Sequence, residues 1–306
     1  MKTKHSFLGR YFPLLIIFSA IISACDSSTL SGDDPSGGPG GSQGTGWNKD
    51  QPYNAIFYKT NTGSIISIAP DSIIAYGANE EKANIISNTY SEEGIGKIVF
   101  DKDLRAIASE AFCRKELTSI SIPSGVTRIE SGTFEKCSSL TSINIPSGVT
   151  TIGEFVFYGC TSLTSISIPS GVTTIGESVF YGCTSLTSIS IPSGVTRIES
   201  GTFEECSSLT SINIPSGVTT IGRFAFYGCT SLTSISIPSG VTTIGEYVFY
   251  GCTSLATVTV LAPNPPRGNY VHTFEKTSCI IYVPSESVDA YKSAWPTWAD
   301  RIQPIQ

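Results

Sequence analysis

The chain has 306 residues, enough for one or two ordinary domains, but only 14% of them are charged, while glycine and proline occur 29 and 17 times. This composition favours a repetitive β-rich body. The formal net charge of -6 argues against nucleic acid as a partner.

The first residues have the features of an export signal. Three basic residues precede an apolar run at 11–22, and small residues stand directly before Cys25. The run is about 12 residues long, shorter than the ~20 that a membrane-spanning helix needs. The segment resembles a bacterial lipobox, which implies a signal peptide at 1–24 and a lipid on Cys25. An ordinary signal peptide cut near Ala24 is the alternative.

Residues 25–51 are rich in glycine, serine and proline and contain few apolar side chains. Such a segment cannot bury enough surface to offset the entropy of ordering it, so we predict a flexible tether. Acidic residues close to the cysteine, as in Asp26, Asp33 and Asp34, resemble those of surface-exported lipoproteins. The resemblance implies an outer-membrane protein that faces outward. In some bacteria an acid directly after the cysteine instead retains the protein in the inner membrane.

A 23-residue repeat dominates the rest of the chain and predicts a solenoid over residues 95–260. A divergent copy starts at Ile95, and a decaying copy starts at Leu255. Between them stand six clean copies, which we number from their leading leucine as position 0. These copies start at Leu117, Leu140, Leu163, Leu186, Leu209 and Leu232.

Seven positions are apolar in all six clean copies and are predicted to point inward. They are leucine at 0, isoleucine at 3, 5 and 12, valine at 9, phenylalanine at 17 and cysteine at 20. The alternation at positions 3–5 predicts a short strand with one buried face, ended by proline at position 6. Stacked copies would form a parallel sheet with a spacing of ~4.8 Å.

The repeat L-x-x-I-x-I-P-x-x-V-x-x-I-G-x-x-x-F-x-x-C resembles that of the BspA-like leucine-rich-repeat surface proteins of host-associated bacteria. The likeness extends from about Ile95 to the C-terminus. It implies a leucine-rich-repeat solenoid of stacked short parallel strands, a location on the cell surface and a role in adhesion.

Both ends of the solenoid are predicted to be capped. Residues 52–94, with the segments AIFYKT and SIISI around a turn, predict a β-rich N-terminal cap. Residues 261–306 predict a small strand-helix cap, in which Ser285 begins a short helix that carries Val288 and Tyr291.

The cysteines and histidines do not form a recognisable catalytic or metal site. Six cysteines fall at position 20 of successive copies, which favours buried free thiols over disulfides, because stacked parallel side chains fit the disulfide dihedral poorly. Close Cys/His spacings typical of zinc are absent from the sequence. His272 lies outside any nucleophile motif. We therefore expect no enzyme activity, no metal and no cofactor.

Residues 117–185 and 186–254 are near-identical blocks, which indicates a recent duplication. A duplicated surface can raise avidity when linked contacts act together. All four differences are predicted to lie outside the inward positions and to leave core packing unaltered. They are Lys136/Glu205, Glu154/Arg223, Val156/Ala225 and Ser178/Tyr247.

Aromatic residues at positions 15 and 18 form the candidate contact patch, because aromatic side chains are enriched in binding hot spots. The alternative is that tyrosine at position 18 only stacks along the outside of the coils. The threonine- and serine-rich strand side is chemically bland. The patch comprises Phe155, Tyr158, Tyr181, Phe224, Tyr227, Tyr247 and Tyr250.

The sequence thus predicts a lipid-anchored surface protein that adheres to host or neighbouring cells by binding a protein or glycan. A structural spacer of the cell envelope without a specific ligand is the alternative. A defined binding partner and exposure on the cell surface would distinguish the adhesive protein from the spacer.

Overall fold

The structure, a computed structural model, describes residues 52–68, 75–268 and 270–306, all within the compact unit Trp47–Gln306. Each 23-residue copy forms one coil of a solenoid, and each residue lies beside its counterpart in the next coil. Ser165 pairs in parallel register with Ser188, for example, and Ile166 pairs with Ile189. The fold is therefore the predicted solenoid of stacked short parallel strands.

The N-terminal segment is β-rich, but its first strand enters the solenoid sheet instead of only covering it. β1 (Ala55–Thr60) pairs antiparallel with β4 (Gly96–Phe100) on one side and with β6 (Leu117–Ser121) on the other. β3 (Ile85–Tyr90) pairs antiparallel with the outer edge of β4. The predicted strand SIISI at 64–68 does not form.

One parallel ladder, divided into three sheets, is built from the strand predicted in each coil. Isoleucine at position 3 points inward, and the serine or asparagine that follows it is exposed in every clean copy except the first, where Ser121 is buried. Proline at position 6 has no N–H to continue the ladder. After β6, the strands on this side are β8 (Ser142–Asn144), β10 (Ser165–Ile166), β12 (Ser188–Ser190), β14 (Ser211–Asn213), β16 (Ser234–Ile237) and β18 (Thr257–Val260).

A second parallel ladder of shorter strands, which was not predicted from the sequence, follows positions 11 and 12 and is divided into two sheets. Each strand has two residues, and its isoleucine is buried. β2 (Ala75–Tyr76) pairs antiparallel with the first of these strands. The ladder consists of β5 (Ala106–Ile107), β7 (Arg128–Ile129), β9 (Thr151–Ile152), β11 (Thr174–Ile175), β13 (Arg197–Ile198), β15 (Thr220–Ile221) and β17 (Thr243–Ile244).

The core consists of columns of identical side chains. Phenylalanines at position 17 stack from Phe112 to Phe274 with ring centroids 5.5–5.7 Å apart. All seven predicted inward positions are buried in the clean copies, except that Ile143 is partly buried. Because every coil shares its apolar side with two neighbours, the fold is stable only as a stack.

Position 16 is also buried, so one prediction from the duplicated blocks is wrong. Val156 and Ala225, which replace each other between the blocks, are both 0% exposed. The substitution therefore removes two methyl groups from the core and does change its packing. The sequence was misleading here because the position holds Thr, Val or Ala, residue types that occur on either side of a coil.

The cysteines at position 20 form a buried column of free thiols. Each Sγ donates to the carbonyl oxygen of the phenylalanine in the preceding coil, as in Cys160 to Phe134 at 3.2 Å. Burial raises the pKa of the Cys137 thiol to about 12 and that of Cys206 well above its usual value. These thiols are held in the unreactive protonated form.

The C-terminal segment continues the parallel sheet and then covers the last coil. β19 (Ile280–Val283) and β20 (Ile302–Pro304) extend the sheet beyond β18. Between them lie a 3-10 turn (Ser285–Ser287), helix α1 (Val288–Ala294) and a second 3-10 turn (Pro296–Arg301). Tyr291 and Trp295 are buried, and the Trp295 ring lies 5.9 Å from that of Phe274.

Ser285 does not cap the helix as predicted. The chain forms a 3-10 turn directly after Pro284, so α1 begins three residues later, and the Ser285 hydroxyl donates to the Ile305 carbonyl at 3.3 Å.

The predicted signal peptide at 1–24, Cys25 and the tether at 25–51 lie outside the described residues. Within the described part of the chain, no helix has the length and apolar character to cross a membrane.

Candidate functional site

All seven predicted contact residues lie on the third side of the solenoid, formed by the turns at positions 14–19. We call this side the aromatic face. It carries a first cluster of Phe155, Tyr158 and Tyr181, and a second cluster of Phe224, Tyr227, Tyr247 and Tyr250. Phe155 is 38% exposed, and the other six side chains are partly buried.

The aromatic rings stack along the solenoid within each cluster. Ring centroids lie 4.6 Å apart in the Tyr158/Tyr181 pair and 5.1 Å apart in the Tyr227/Tyr250 pair. Phe224 stacks on Tyr247 at 5.3 Å. Tyrosine at position 18 thus stacks outside the coils, as the alternative interpretation held, yet every ring remains partly accessible to solvent.

His272 extends the second cluster, and the sequence analysis missed it. Its ring stacks on Tyr247 with centroids 4.8 Å apart, and its Nδ1 lies 2.8 Å from Glu275 Oε1. Counting from Leu255 puts His272 at position 17, but Phe274 stacks on Phe249 and continues the position 17 column, so the structure assigns His272 to position 15.

In each of the six clean copies, two residues of the turn adopt left-handed backbone, and glycine occupies only one of them. Where position 19 is glycine, as at Gly159 and Gly228, position 15 carries a side chain: Phe155 has φ 57° and Phe224 has φ 57°. In the coils that start at Leu117 and Leu186 the arrangement is reversed, and position 15 is glycine. A side chain in this region of backbone space costs about 1 kcal/mol relative to glycine.

The aromatic residues at position 15 therefore occupy a conformation that glycine would adopt more cheaply. Gly132 and Gly201 demonstrate that the turn accepts glycine there, with φ 66° and 63°. Phe155, Phe224 and Tyr247 instead place large rings on the surface. Unfavourable backbone of this kind is concentrated at functional sites.

Cations lie against three of the rings. The Lys136 ammonium is 5.5 Å from the Tyr158 ring centroid, and that of Lys276 is 4.8 Å from the Tyr250 centroid. The Arg223 guanidinium lies 5.2 Å from the Phe224 centroid and pairs with Glu246 at 2.8 Å. The aromatic face therefore forms cation-π contacts within the protein itself.

Two adjacent carboxylates, Glu204 and Glu205, separate the two clusters. Burial and the neighbouring Glu205 charge raise the pKa of Glu204 to about 7. Burial and nearby carboxylates also raise the pKa of Tyr181 to about 12. The middle of the aromatic face is consequently acidic and partly withdrawn from water.

The strand side is less suited to binding. Its threonine hydroxyls donate to carbonyls of the preceding coil, as Thr141 does to Thr118 at 3.0 Å and Thr187 to Thr164 at 3.2 Å. These threonine hydroxyls hold neighbouring coils together.

No group of three or more His, Cys, Asp or Glu side chains that could hold a metal occurs in the described ranges. Cys113 is partly buried, and burial raises its pKa. Cys279 is buried beside the Thr277 hydroxyl at 3.3 Å.

Comparison with known families assigns the repeat. The family described as "BspA type Leucine rich repeat region" matches six copies over residues 83–207 and 173–287, which together cover more than half of the chain. Among curated proteins, no sequence matches.

Solved structures with similar repeats come from several bacteria. A leucine rich cell surface protein from Faecalibacterium prausnitzii is 26% identical, with a TM-score of 0.52 over 71% of this chain and 72% of that protein. A leucine-rich repeat protein from Bacteroides ovatus is 28% identical, with a TM-score of 0.49 over 65% of this chain and 56% of that protein. The T. pallidum leucine rich repeat protein is 32% identical, with a TM-score of 0.46 over 51% and 73%. The chain thus spans little more than half the length of the Bacteroides ovatus protein.

Proposed function

This chain belongs to the BspA-type leucine-rich repeat family, and we propose that it is a lipid-anchored surface protein that binds a protein or glycan through the aromatic face. The observation that carries the proposal is the placement of Phe155, Phe224 and Tyr247 in left-handed backbone. Glycine at position 15 would remove this backbone cost, and two other coils do carry glycine there, with their left-handed side chain at position 19 instead.

The N-terminal sequence supports surface attachment. Lipid on Cys25 would hold the protein at the membrane, and the tether at 25–51 would separate the folded part from it. Residues 52–94 and 261–306 would then serve as caps for the solenoid at 95–260. The similar Faecalibacterium prausnitzii protein is described as a cell surface protein. An outer-membrane location facing outward, with adhesion to host or neighbouring cells, agrees with these features.

The two aromatic clusters support multivalent contact. Equivalent residues in the two blocks are 69 positions apart, which is three coils or about 14 Å along the stack. Two weak contacts at this spacing on one rigid body can reinforce each other against a repetitive ligand. This arrangement favours binding over catalysis, because the near-identical blocks repeat most of the surface within 117–254.

Replacing the ring with glycine provides the test of the aromatic face. Phe224→Gly and Tyr247→Gly remove the rings and the backbone cost together, so the relieved backbone offsets part of the lost ring stacking, and both variants should fold. Ser178→Gly is the matched control, because Ser178 holds the same position with φ 52° and has no ring. Binding of the purified full chain to an array of matrix proteins and glycans should fall in the first two variants and persist in the control.

Equal binding by all four proteins would refute the role of the aromatic face. If the wild type binds nothing on the array, the envelope spacer becomes the better explanation, and the internally bonded threonines on the strand side agree with that role.

Surface attachment is tested separately by protease treatment of intact cells that express the wild type or Cys25→Ala. We expect the wild type to be membrane-bound and cleaved at the surface, and the variant to be released. A wild type that is soluble, or protected from the protease, contradicts the proposal.

A further inference from the structure

One difference between the duplicated blocks reverses the charge on the aromatic face. Lys136 in the first block corresponds to Glu205 in the second, and both residues hold left-handed backbone at position 19, with φ 56° and 58°. Their amides donate to equivalent carbonyls of the next coil, Tyr158 at 2.6 Å and Tyr227 at 2.7 Å. The two side chains therefore leave the backbone at equivalent places.

Both side chains also extend in the same direction, over the glycine of the following coil. A Cβ placed on Gly159 would lie 3.2 Å from Lys136 Cγ, and a Cβ placed on Gly228 would lie 2.8 Å from the Glu205 carboxyl carbon. The surroundings match as well, because Glu135 corresponds to Glu204.

The first block contains an ammonium group in a complete site. Lys136 Nζ lies 3.3 Å from Glu135 Oε1 and 5.5 Å from the centroid of the Tyr158 ring. A carboxylate and an aromatic ring thus hold the cation together, a combination in which the ion pair and the cation-π contact act on the same charge.

The second block keeps the ring and the carboxylate but lacks the cation. Within the part of the chain that the structure describes, the Glu204 and Glu205 carboxylates have neither an ion-pair nor a hydrogen-bond partner. Burial and repulsion from Glu205 destabilise the charged form of Glu204, whose pKa is raised to about 7. An external cation would relieve both effects.

The tyrosines above and below complete the walls of the site. Tyr158 stacks on Tyr181, and Tyr227 stacks on Tyr250, so Glu204 interrupts the column between the two pairs. Tyr181 and Tyr227 are two coils apart, about 10 Å, with the carboxylates between them. Burial raises the pKa values of both hydroxyls, and the charges of Glu204 and Glu205 add to that increase.

We propose that Glu204, Glu205 and Tyr227 bind a lysine side chain of a partner protein, at the place that the Lys136 ammonium fills in the first block. This inference rests on the proposed function and specifies its ligand as a protein segment that presents lysine. Lysine is the ligand assigned because the group held in the equivalent site is an ammonium.

The duplication itself supplies the test variants. Glu205→Lys introduces the residue that the first block already accommodates and should fill the site from within. Lys136→Glu should create a second site, because it reproduces the acidic pair beside Tyr158. Glu154→Arg is the control: Arg223 occupies that position in the second block, and the charge changes as much as in Glu205→Lys.

The probe is a short fluorescein-labelled peptide of alternating lysine and glycine, followed by anisotropy with the full chain at low salt and pH 8. We expect saturable binding to the wild type, about tenfold weaker binding to Glu205→Lys, little change in Glu154→Arg, and twice the stoichiometry in Lys136→Glu. The same peptide with acetylated lysines should not bind.

Absence of wild-type binding, equal losses in Glu205→Lys and Glu154→Arg, or unchanged stoichiometry in Lys136→Glu would each overturn the lysine site. These outcomes are separable from failure of the proposed function. If Phe224→Gly abolishes binding to an array ligand while Glu205→Lys leaves that binding intact, the aromatic face binds its partner without a lysine contact.

Discussion

Glu204 makes the stability of the solenoid depend on pH, and Glu204→Gln should remove that dependence. Burial first, and then the Glu205 charge, raise the pKa of Glu204 from 4.5 to about 7. The folded state therefore binds a proton that the unfolded state has released between these values. Stability is highest below about pH 4.5, declines as the pH rises to about 7, and is constant with respect to this group above that.

The size of the effect follows from the pKa difference. One pKa unit corresponds to about 1.4 kcal/mol, so the shift sets an upper bound of about 3 kcal/mol. Glu204 remains partly accessible to solvent, which reduces the expected loss to on the order of 1–2 kcal/mol. Glutamine has a similar shape and no charge. Glu204→Gln should therefore be more stable than the wild type by that amount at pH 8, and nearly equal to it at pH 4.5.

Urea unfolding followed by circular dichroism at the two pH values gives both free energies of unfolding. The difference between wild type and Glu204→Gln is the relevant quantity, because other titrating groups, including Glu177, contribute equally to both proteins. A direct titration of the Glu204 carboxyl by ¹³C NMR supplies the pKa. A difference in stability that is the same at pH 4.5 and pH 8 would refute the reasoning.

Three other predictions concern the core and the thiols. Val156→Ala should lower the free energy of unfolding in urea by about 1–2 kcal/mol, because the fully buried position 16 loses two methyl groups. An unchanged free energy of unfolding would contradict the burial of that position. Phe180→Ala should cost about 3–5 kcal/mol in the same assay, because its ring stacks at 5.6 Å on both Phe157 and Phe203; a loss below 1 kcal/mol would contradict a continuous phenylalanine column. Among the described cysteines, only Cys113 should react quickly with a chromogenic disulfide reagent in the folded chain, with the others reacting after unfolding; rapid labelling of several thiols would show that the column is open.

The solenoid could be predicted from the sequence because one pattern occurs six times. A single apolar residue is weak evidence of burial, but isoleucine at position 3 in every clean copy cannot be a coincidence of composition. The columns of leucine, valine, phenylalanine and cysteine could be predicted for the same reason, and their burial was confirmed. The predicted family resemblance was confirmed by the match to the repeat.

Features that depend on non-local pairing or on backbone geometry were not predicted. Nothing within residues 55–60 indicates that β1 inserts between strands that follow it by about 40 and 60 residues. The helix start at Val288, not after Ser285, depends on the 3-10 turn that Pro284 initiates. Two-residue strands such as β9 are too short to produce a periodic signal.

For the candidate site, the sequence assigned the aromatic columns but not their backbone or their charges. The alternation of glycine between positions 15 and 19 was visible as a pattern. The sequence did not show what this alternation means. The φ values show that both positions are left-handed and that one of them holds a side chain in every clean copy. Likewise, Lys136/Glu205 looked like a neutral surface difference until the structure placed Lys136 between Glu135 and Tyr158.

In a repeat protein, departures from the repeat carry more information about function than the repeat itself. Selection for folding acts on every coil alike, since each must stack on its neighbours, so it maintains the invariant columns. A costly feature that only some coils carry needs a different reason to persist. Phe224 and Tyr247 place aromatic rings at a left-handed position where other coils hold glycine or serine, and Glu204 beside Glu205 has an unfavourable charge. These departures lie together on one side of the solenoid, within consecutive coils, while the strand side remains uniform. A partner that binds this side would therefore compensate for the stability that the isolated protein loses through these residues.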